Sequence, residues 1–419
     1  MRPHVAVFLQ HYHTPDCPTS ARPHALVDRL SRDFEVTLIT TDAWRSRQIS
    51  HTTAWVPPGV RLVEFEVPYG NKMGPARRLA SFARYALQAA WAGLRLPPPD
   101  VVFGSSTPLT VPLVAALVAR WHDVPWVFEV RDLWPDFPIQ MGVVSSPLVR
   151  RMLYGLEQWL YCDAAHVVAL SPDMAEHIRR TAPSAAVDVN VYGTDRDVLN
   201  TLSPSRACIL QEQYGLGDVR VVLYAGSFGR ANAIPTLIRT AEQLHADPSL
   251  PETRFVFAGD GYHRPTLDAA RKRVPSIRLL PPLPMHDALA LFRLADLSVV
   301  SFLDRPVLAT NSPGKLFDSL AAATPVIVTN PGWTRDLVET HRCGWYVSPE
   351  SPGALAQCIR NALLDLNALH MYGDSAAGMA RRCFNRSTHM DRYVRLVEQV
   401  VATEGAGRRC AGSRRRAPL

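Results

Sequence analysis

The sequence predicts an α/β protein made of two consecutive doubly wound, Rossmann-like domains facing each other across a cleft. Short β-branched runs alternate with helical patterns from end to end, as in parallel sheets covered by helices on both faces. That rhythm breaks once, between Tyr192 and Asp218, and then restarts. The 419 residues are enough for two or three ordinary cores.

Taken in order, strands are expected at VAVFLQ (from Val5), EVTLIT (Glu35), RLVEFEV (Arg61), DVVFGS (Asp100), PWVFEV (Pro125), HVVAL (His166) and VDVNVY (Val187). The turn-rich stretch from Tyr192 to Asp218 reads as an interdomain linker and a short helix. Six further runs follow: VRVVLYAG (Val219), RFVFAGD (Arg254), IRLLPPL (Ile277), LSVVSFL (Leu297), PVIVTN (Pro325) and GWYVSP (Gly344). Ligands of such sheets bind beyond the carboxyl ends of the strands, so each segment that follows a strand is a candidate for chemistry.

A hydrophobic fraction of 47% and a charged fraction of 20% describe a globular chain, and no apolar run approaches the roughly 18 residues of a membrane span. The start, MRPHVAVFLQ, has too short an apolar segment for a secretory signal, so a cytoplasmic protein is expected. Seven cysteines without a C-x-x-C pair argue against a disulfide framework and against cysteine-held zinc. The net charge of +7 is concentrated in GRRCAGSRRRAPL and around residue 80, a distribution that suits anionic lipid or nucleic acid.

SPGKLFDSLAAATPVIVTN, from Ser312 to Asn330, places Lys315 near the start of a short apolar helix. A helix N-terminus already carries about half a positive charge, so a cation there is mildly unfavourable unless an anion such as phosphate joins it. The alternative is a solvated lysine. YAGSFGRANAI leaves a strand through Gly226 and Gly229 with Arg230 in the turn, and FAGDGYHRPTL repeats the arrangement with Gly259, Asp260 and Gly261. Each is either a phosphate-approaching loop or a plain strand-to-helix turn. Neither satisfies the Walker pattern. FEVRDLWPDFP places Arg131 and Asp132 at a strand end, as an ion pair or with Asp132 on a substrate hydroxyl. Asp195 and Asp197 form a D-x-D of the kind that can hold a divalent metal, but their place in the linker argues against it.

From Ala76 to Leu96, apolar residues at Leu79, Phe82, Ala83, Ala86, Leu87, Ala90, Trp91 and Leu94 make one helical stripe. Arg77, Arg78, Arg84 and Arg95 lie off it, with Lys72 just before. The helix either faces the core, or meets lipid while its arginines meet headgroups, or does both.

With DVVFGSSTPLTVPLVAALVA, FEVRDLWPDFPIQMGVV, YAGSFGRANAIPTL, FVFAGDGYHRPTL and SPGKLFDSLAAATPVIV in this order, the chain resembles the family-4 glycosyltransferases of the GT-B fold. Within them it is most similar to the bacterial fucosamine and amino-sugar transferases of surface polysaccharide synthesis, such as O-antigen or capsule. The resemblance implies a retaining transfer of a hexosyl or N-acetylaminosugar group from a nucleotide-sugar donor, most commonly UDP-linked, without cofactor or metal. It implies an acceptor-binding domain over 1–195, a linker and short helix over 196–218 and a donor-binding domain over 219–386. A closing helix over 387–403 would return to the first domain; by its own composition, 404–419 is expected to be a basic disordered tail.

By the same resemblance, Arg230 and Lys315 hold the departing diphosphate and Asp132 joins them as a catalytic residue. Gly226, Gly229, Asn232, Gly259 and Asp260 line the donor site, as do Thr310, Asn311 and Ser312. Asp318 falls on the second acid of the family's E-x7-E pattern, on the ribose. Arg22 and Arg131 face the acceptor, which is expected to be a saccharide or lipid-linked saccharide at the inner membrane surface, with no nucleic acid as partner. Three positions depart from the family: Thr310 replaces the first acid of E-x7-E, Arg131 stands where many members carry histidine, and CPTSAR replaces a glycine pair. A nucleotide-sugar 2-epimerase and a non-catalytic scaffold share the expected architecture, because fold does not fix function.

Overall fold

Thirteen parallel strands build two sheets in the computed structural model, which describes residues 2–17, 21–47, 54–70, 73–194 and 204–414. The first sheet contains β1 (His4–Phe8), β2 (Glu35–Thr41), β3 (Arg61–Phe65), β4 (Val101–Ser105), β5 (Trp126–Val130), β6 (His166–Ala169) and β7 (Val187–Val189), in the order β3-β2-β1-β4-β5-β6-β7. The second contains β8 (Arg220–Ala225), β9 (Thr253–Ala258), β10 (Ile277–Leu280), β11 (Leu297–Val300), β12 (Val326–Val328) and β13 (Gly344–Tyr346), in the order β10-β9-β8-β11-β12-β13. Every strand overlaps one of the runs expected from the sequence. The chain order reverses between β1 and β4 in one sheet and between β8 and β11 in the other, and loops at such switch points form ligand crevices.

The strands are legible because their residues are buried on both faces. Val5 and Val7 pack with Leu30 and the final helix on one side, while Ala6 and Phe8 pack under Tyr85 and Val118 on the other. An apolar cluster also continues from Val130 and Leu133 of the first domain to Phe317 and Trp333 of the second.

Two further features tie the domains together. A polar seam joins Gln140 Oε1 to the Val307 amide at 2.9 Å, the Ser171 hydroxyl to the Thr310 carbonyl at 2.6 Å, and Asp173 to the Trp333 amide at 3.0 Å. The second tie is the last helix, Arg386–Arg414, which starts beside the second domain and packs Tyr393, Val394 and Val397 into the first. Its backbone stays helical to Arg414, past residue 403, where composition led to the expectation of a disordered tail.

Arg22, expected on the acceptor side, instead lies 1% exposed at the start of the helix Arg22–Asp33. Its guanidinium pairs with Glu129 at 2.7 Å and donates to the Tyr393 hydroxyl at 2.6 Å. That hydroxyl donates to Glu129 at 2.6 Å, and Ser105 donates to the other carboxylate oxygen. Burial pushes the Glu129 carboxyl up, but Arg22, Arg131 and the two hydroxyls outweigh it and hold it below the usual range. Its stabilising contribution is therefore complete above the ordinary glutamate range and is lost as the pH falls through the lowered value.

Glu129→Gln should leave Arg22 as a buried charge without its counterion and cost about 3–5 kcal/mol of stability. Urea denaturation measures this, and a loss below about 1 kcal/mol, as for a solvated pair, would show that the network is not what holds the last helix.

Candidate active site

On the second domain the site begins where β8 ends. Gly226, at φ +135°, turns the chain out of the sheet, and the single turn Arg230–Asn232 leads into the helix Ile234–His245. The loop after β9 lies against it: the Phe228 amide donates to the Asp260 carbonyl and the His263 amide to the Phe228 carbonyl, both at 2.9 Å. A Cβ on Gly259 would sit 1.9 Å from the Gly226 carbonyl oxygen, and one on Gly261 would sit 2.8 Å from Phe228 backbone. These two glycines are required because one loop approaches another. Asn232 folds back so that its Nδ2 lies 3.1 Å from where a Gly229 Cβ would be.

Lys315 occupies the first turn of the helix Gly314–Ala321, which has no acidic residue in that turn. Its half-buried ammonium donates to the Tyr224 hydroxyl at 2.7 Å and lies 4.0 Å from the centre of that ring. The chain end crosses Gly226, where a Cβ would meet Lys315 Cε at 3.3 Å. Among the described residues no carboxylate lies within ion-pair distance, and burial pulls the ammonium pKa down to about 7. Arg230 is exposed and stacks its guanidinium on Tyr262 at 4.2 Å. Burial, and then the charge of Arg230, lower the pKa of His263.

The segment between β11 and the Lys315 helix ends in three polar residues, Thr310, Asn311 and Ser312, that are buried or half-buried. Thr310 spends its hydroxyl on the Val307 carbonyl at 2.8 Å. Asn311 accepts from the Trp333 indole through its backbone carbonyl at 2.9 Å, while its side-chain oxygen and the Ser312 hydroxyl are buried without a hydrogen-bond partner. Ser301, just after β11, and both amide atoms of Asn330, just after β12, are in the same condition. Sequence reasoning missed Ser301 and Asn330, whose signal was their position beyond a strand end. Buried polar atoms of this kind are ordinarily satisfied by water or a ligand. Asp318 points to the domain crossing, accepting from the Thr194 hydroxyl at 3.1 Å.

On the facing domain, Asp132 follows β5 and is half-buried. Burial pushes its carboxyl up to about 6, against the opposing charge of Arg131. Arg131 donates to the Tyr192 hydroxyl at 3.3 Å, and the Tyr192 ring edge lies 3.4 Å from where a Gly314 Cβ would be. Tyr192, another residue the sequence did not single out, therefore links the Asp132 segment to the start of the Lys315 helix. Asp195, Asp197 and Lys72 lie outside the described residues. No helix among the described residues is long and apolar enough to cross a membrane.

Residues 19–193 match a family model described as a glycosyl transferase 4-like domain, and residues 219–365 one described as glycosyl transferases group 1. Glycogen synthase of Mycobacterium tuberculosis is 24% identical over 270 residues, covering 64% of this chain and 61% of the relative. The chain thus spans about three fifths of that protein's length. Among solved structures, sucrose-phosphate synthase from Thermosynechococcus elongatus is similar with a TM-score of 0.74 and 16% identity, covering 96% of this chain and all of that one. HepE of Anabaena, in complex with UDP-glucose, is similar with a TM-score of 0.67 and 18% identity, covering 95% of this chain and all of that one. These structural likenesses are likenesses of fold.

The lowered Lys315 value has a stability consequence. Between pH 7 and the ordinary lysine range, the unfolded chain binds a proton that the folded chain has released, so stability rises with pH in that window. Relative to Lys315→Met, the wild type should gain up to about 1.4 kcal/mol per pH unit above pH 7, read from urea denaturation at stepped pH. A difference that does not vary with pH would show that the ammonium keeps its charge throughout.

Proposed function

We propose that this chain, which belongs to the GT-B glycosyltransferases, transfers a sugar from a nucleoside diphosphate donor, UDP-linked, to an acceptor hydroxyl with retention of configuration. The observation that carries the proposal is Lys315, an ammonium without a carboxylate at a sheet switch point, held by Tyr224 across Gly226. Arg230, on the loop after β8 that the Lys315 side chain crosses, is a second cation. The HepE complex supports UDP as carrier, since a similar fold accepts UDP-glucose.

In this reaction the bond between the anomeric carbon and the diphosphate breaks, and negative charge accumulates on the leaving oxygen. Lys315 and Arg230 neutralise that charge. An ammonium poised near pH 7 binds its proton firmly once the anion is beside it, so donor binding draws in the charge the step needs. The buried polar atoms of Ser301, Asn311, Ser312 and Asn330 offer neutral hydrogen bonds to a polyhydroxylated sugar. Across the cleft, Asp132 accepts a hydrogen bond from the acceptor hydroxyl. The acceptor class is a lipid-linked saccharide of cell-surface polysaccharide synthesis, and the donor sugar is a hexose or N-acetylaminosugar, as the sequence resemblance suggests.

Lys315→Ala should lower kcat by about 10²- to 10³-fold with a smaller effect on donor KM, because the lysine acts on charge that appears only as the bond breaks. Arg230→Ala should behave alike, and the double variant should lose less than the product of the two. A folded Lys315→Ala enzyme with near-native kcat at saturating donor would remove the lysine from the reaction. Neutralisation by side chains also predicts that transfer survives EDTA; loss of activity restored by magnesium or manganese would refute it. Release of an altered nucleotide sugar without acceptor would identify an epimerase instead.

A further inference from the structure

We propose that the outer face of three adjacent helices of the first domain docks on an anionic bilayer surface. The helices are Pro75–Gly93, Thr110–His122 and Pro147–Asp163, which join β3 to β4, β4 to β5 and β5 to β6. They lie side by side, the middle one touching both others, and their inner faces share one core.

The single apolar stripe of the first helix resolves into two faces. Phe82, Tyr85, Ala89 and Ala92 point into the core. Leu79, Ala83, Leu87, Trp91 and Leu94 point outward. An outward face on a soluble domain is ordinarily polar, yet the neighbouring helices continue the pattern with Leu117 and Trp121, and with Leu148, Val149 and Met152. Leu79, Leu87, Trp91, Trp121, Leu148 and Met152 are each between 59% and 74% exposed. Exposed apolar side chains repeated over adjacent helices in this way mark an interaction site.

The charges around it select the occupant. The first two helices contain no aspartate or glutamate, and one exposed acid, Asp123, follows the end of the second. In the third, Glu157 is buried and Asp163 is paired with Arg120. Arg77, Arg84, Arg95 and Arg151 are exposed on the same helices or at their ends, and Arg95 stacks over Trp91 at 4.2 Å. Arginines around leucine and tryptophan match a layer that is apolar inside and anionic at its surface, where tryptophan settles and arginine reaches the headgroups. A second copy of the chain would bring the same arginines face to face.

The inner side of the first helix leads to the cleft. Phe82 meets Trp134 edge-on at 6.2 Å and lies 5.8 Å from Tyr69, which packs on His11 at 4.4 Å. Trp134 is two residues from Asp132. A docked face would hold the Asp132 segment about one helix diameter, roughly 10 Å, from the headgroups. The docking surface stands on its own residues; only its service to a lipid-linked acceptor rests on the function proposed above.

The test is flotation of the full chain with phosphatidylcholine vesicles, with and without phosphatidylglycerol. The chain should float with the anionic vesicles at low salt and stay down with the neutral ones. Leu87→Asp with Trp91→Asp should abolish flotation, and Arg84→Glu or Arg151→Glu should each weaken it about fivefold or more, with urea midpoints and UDP affinity unchanged. Protein that stays at the bottom with anionic vesicles, or flotation indifferent to the Leu87 and Trp91 changes, would overturn the proposal. So would a dimer in sedimentation that these changes dissolve without any vesicle binding. Flotation failing while transfer and UDP binding persist would count against this surface alone and leave the reaction untouched.

Discussion

Arg22 and Glu129, enclosed together between the helix Arg22–Asp33, β5 and the last helix, are the pair on which the placement of everything else depends. Taking two charges out of water is expensive, and it is tolerated only where further hydrogen bonds satisfy both. Ser105 supplies one from within the first domain, and Tyr393 supplies two more, accepting from Arg22 and donating to Glu129. The network is therefore incomplete until the last helix has docked. That helix begins at Arg386, whose amide donates to the Thr194 carbonyl at 3.0 Å, next to the seam between domains. Glu129 lies three residues before Asp132, so the same network that returns the chain to the first domain also fixes the strand end from which the cleft carboxylate projects.

The second domain treats its central charge in the opposite way. Lys315 is given an aromatic ring and a hydroxyl, both neutral, and the Tyr224 hydroxyl that accepts from it donates in turn to the Ser227 carbonyl at 2.8 Å. Two buried or half-buried cations thus differ, among the described residues, by the presence of a carboxylate: Arg22 is closed off by one, and Lys315 is not. The polar seam at Val307 and Thr310 then holds the segment leading to Lys315 against the first domain.

The parallel strands could be read from the chain because burial on both faces turns them into unbroken β-branched runs, and the loops that matter follow from where those strands end. What could not be read depends on neighbours distant in the chain. Gly259 read either as a ligand-approaching glycine or as part of a plain turn, and the atom that forbids its Cβ belongs to Gly226, one strand away. Arg22 looked like a cleft residue, and only the fold brings Glu129 and Tyr393 to it. The helix Pro75–Gly93 showed one stripe, since periodicity identifies apolar positions without saying how much of their arc the core can cover. Ser301 and Asn330 are ordinary polar residues in the chain; their interest lies in finding no partner once buried.

Asp132 and Lys315 have values displaced toward neutrality from opposite directions, up to about 6 and down to about 7, and burial is the leading cause in both. Groups so placed respond to what enters the cleft. In the proposed reaction a diphosphate beside Lys315 favours the ammonium, and an acceptor hydroxyl beside Asp132 favours the carboxylate, so each substrate strengthens the charge state that the step requires. The two sides are also connected through matter. Tyr192 takes a hydrogen bond from Arg131 and rests its ring against Gly314, and Thr194, two residues on, donates to Asp318 on the Lys315 helix. The interdomain crossing therefore joins the Lys315 helix to the segment that carries Asp132 by direct contacts, so that neither can shift without the other being felt.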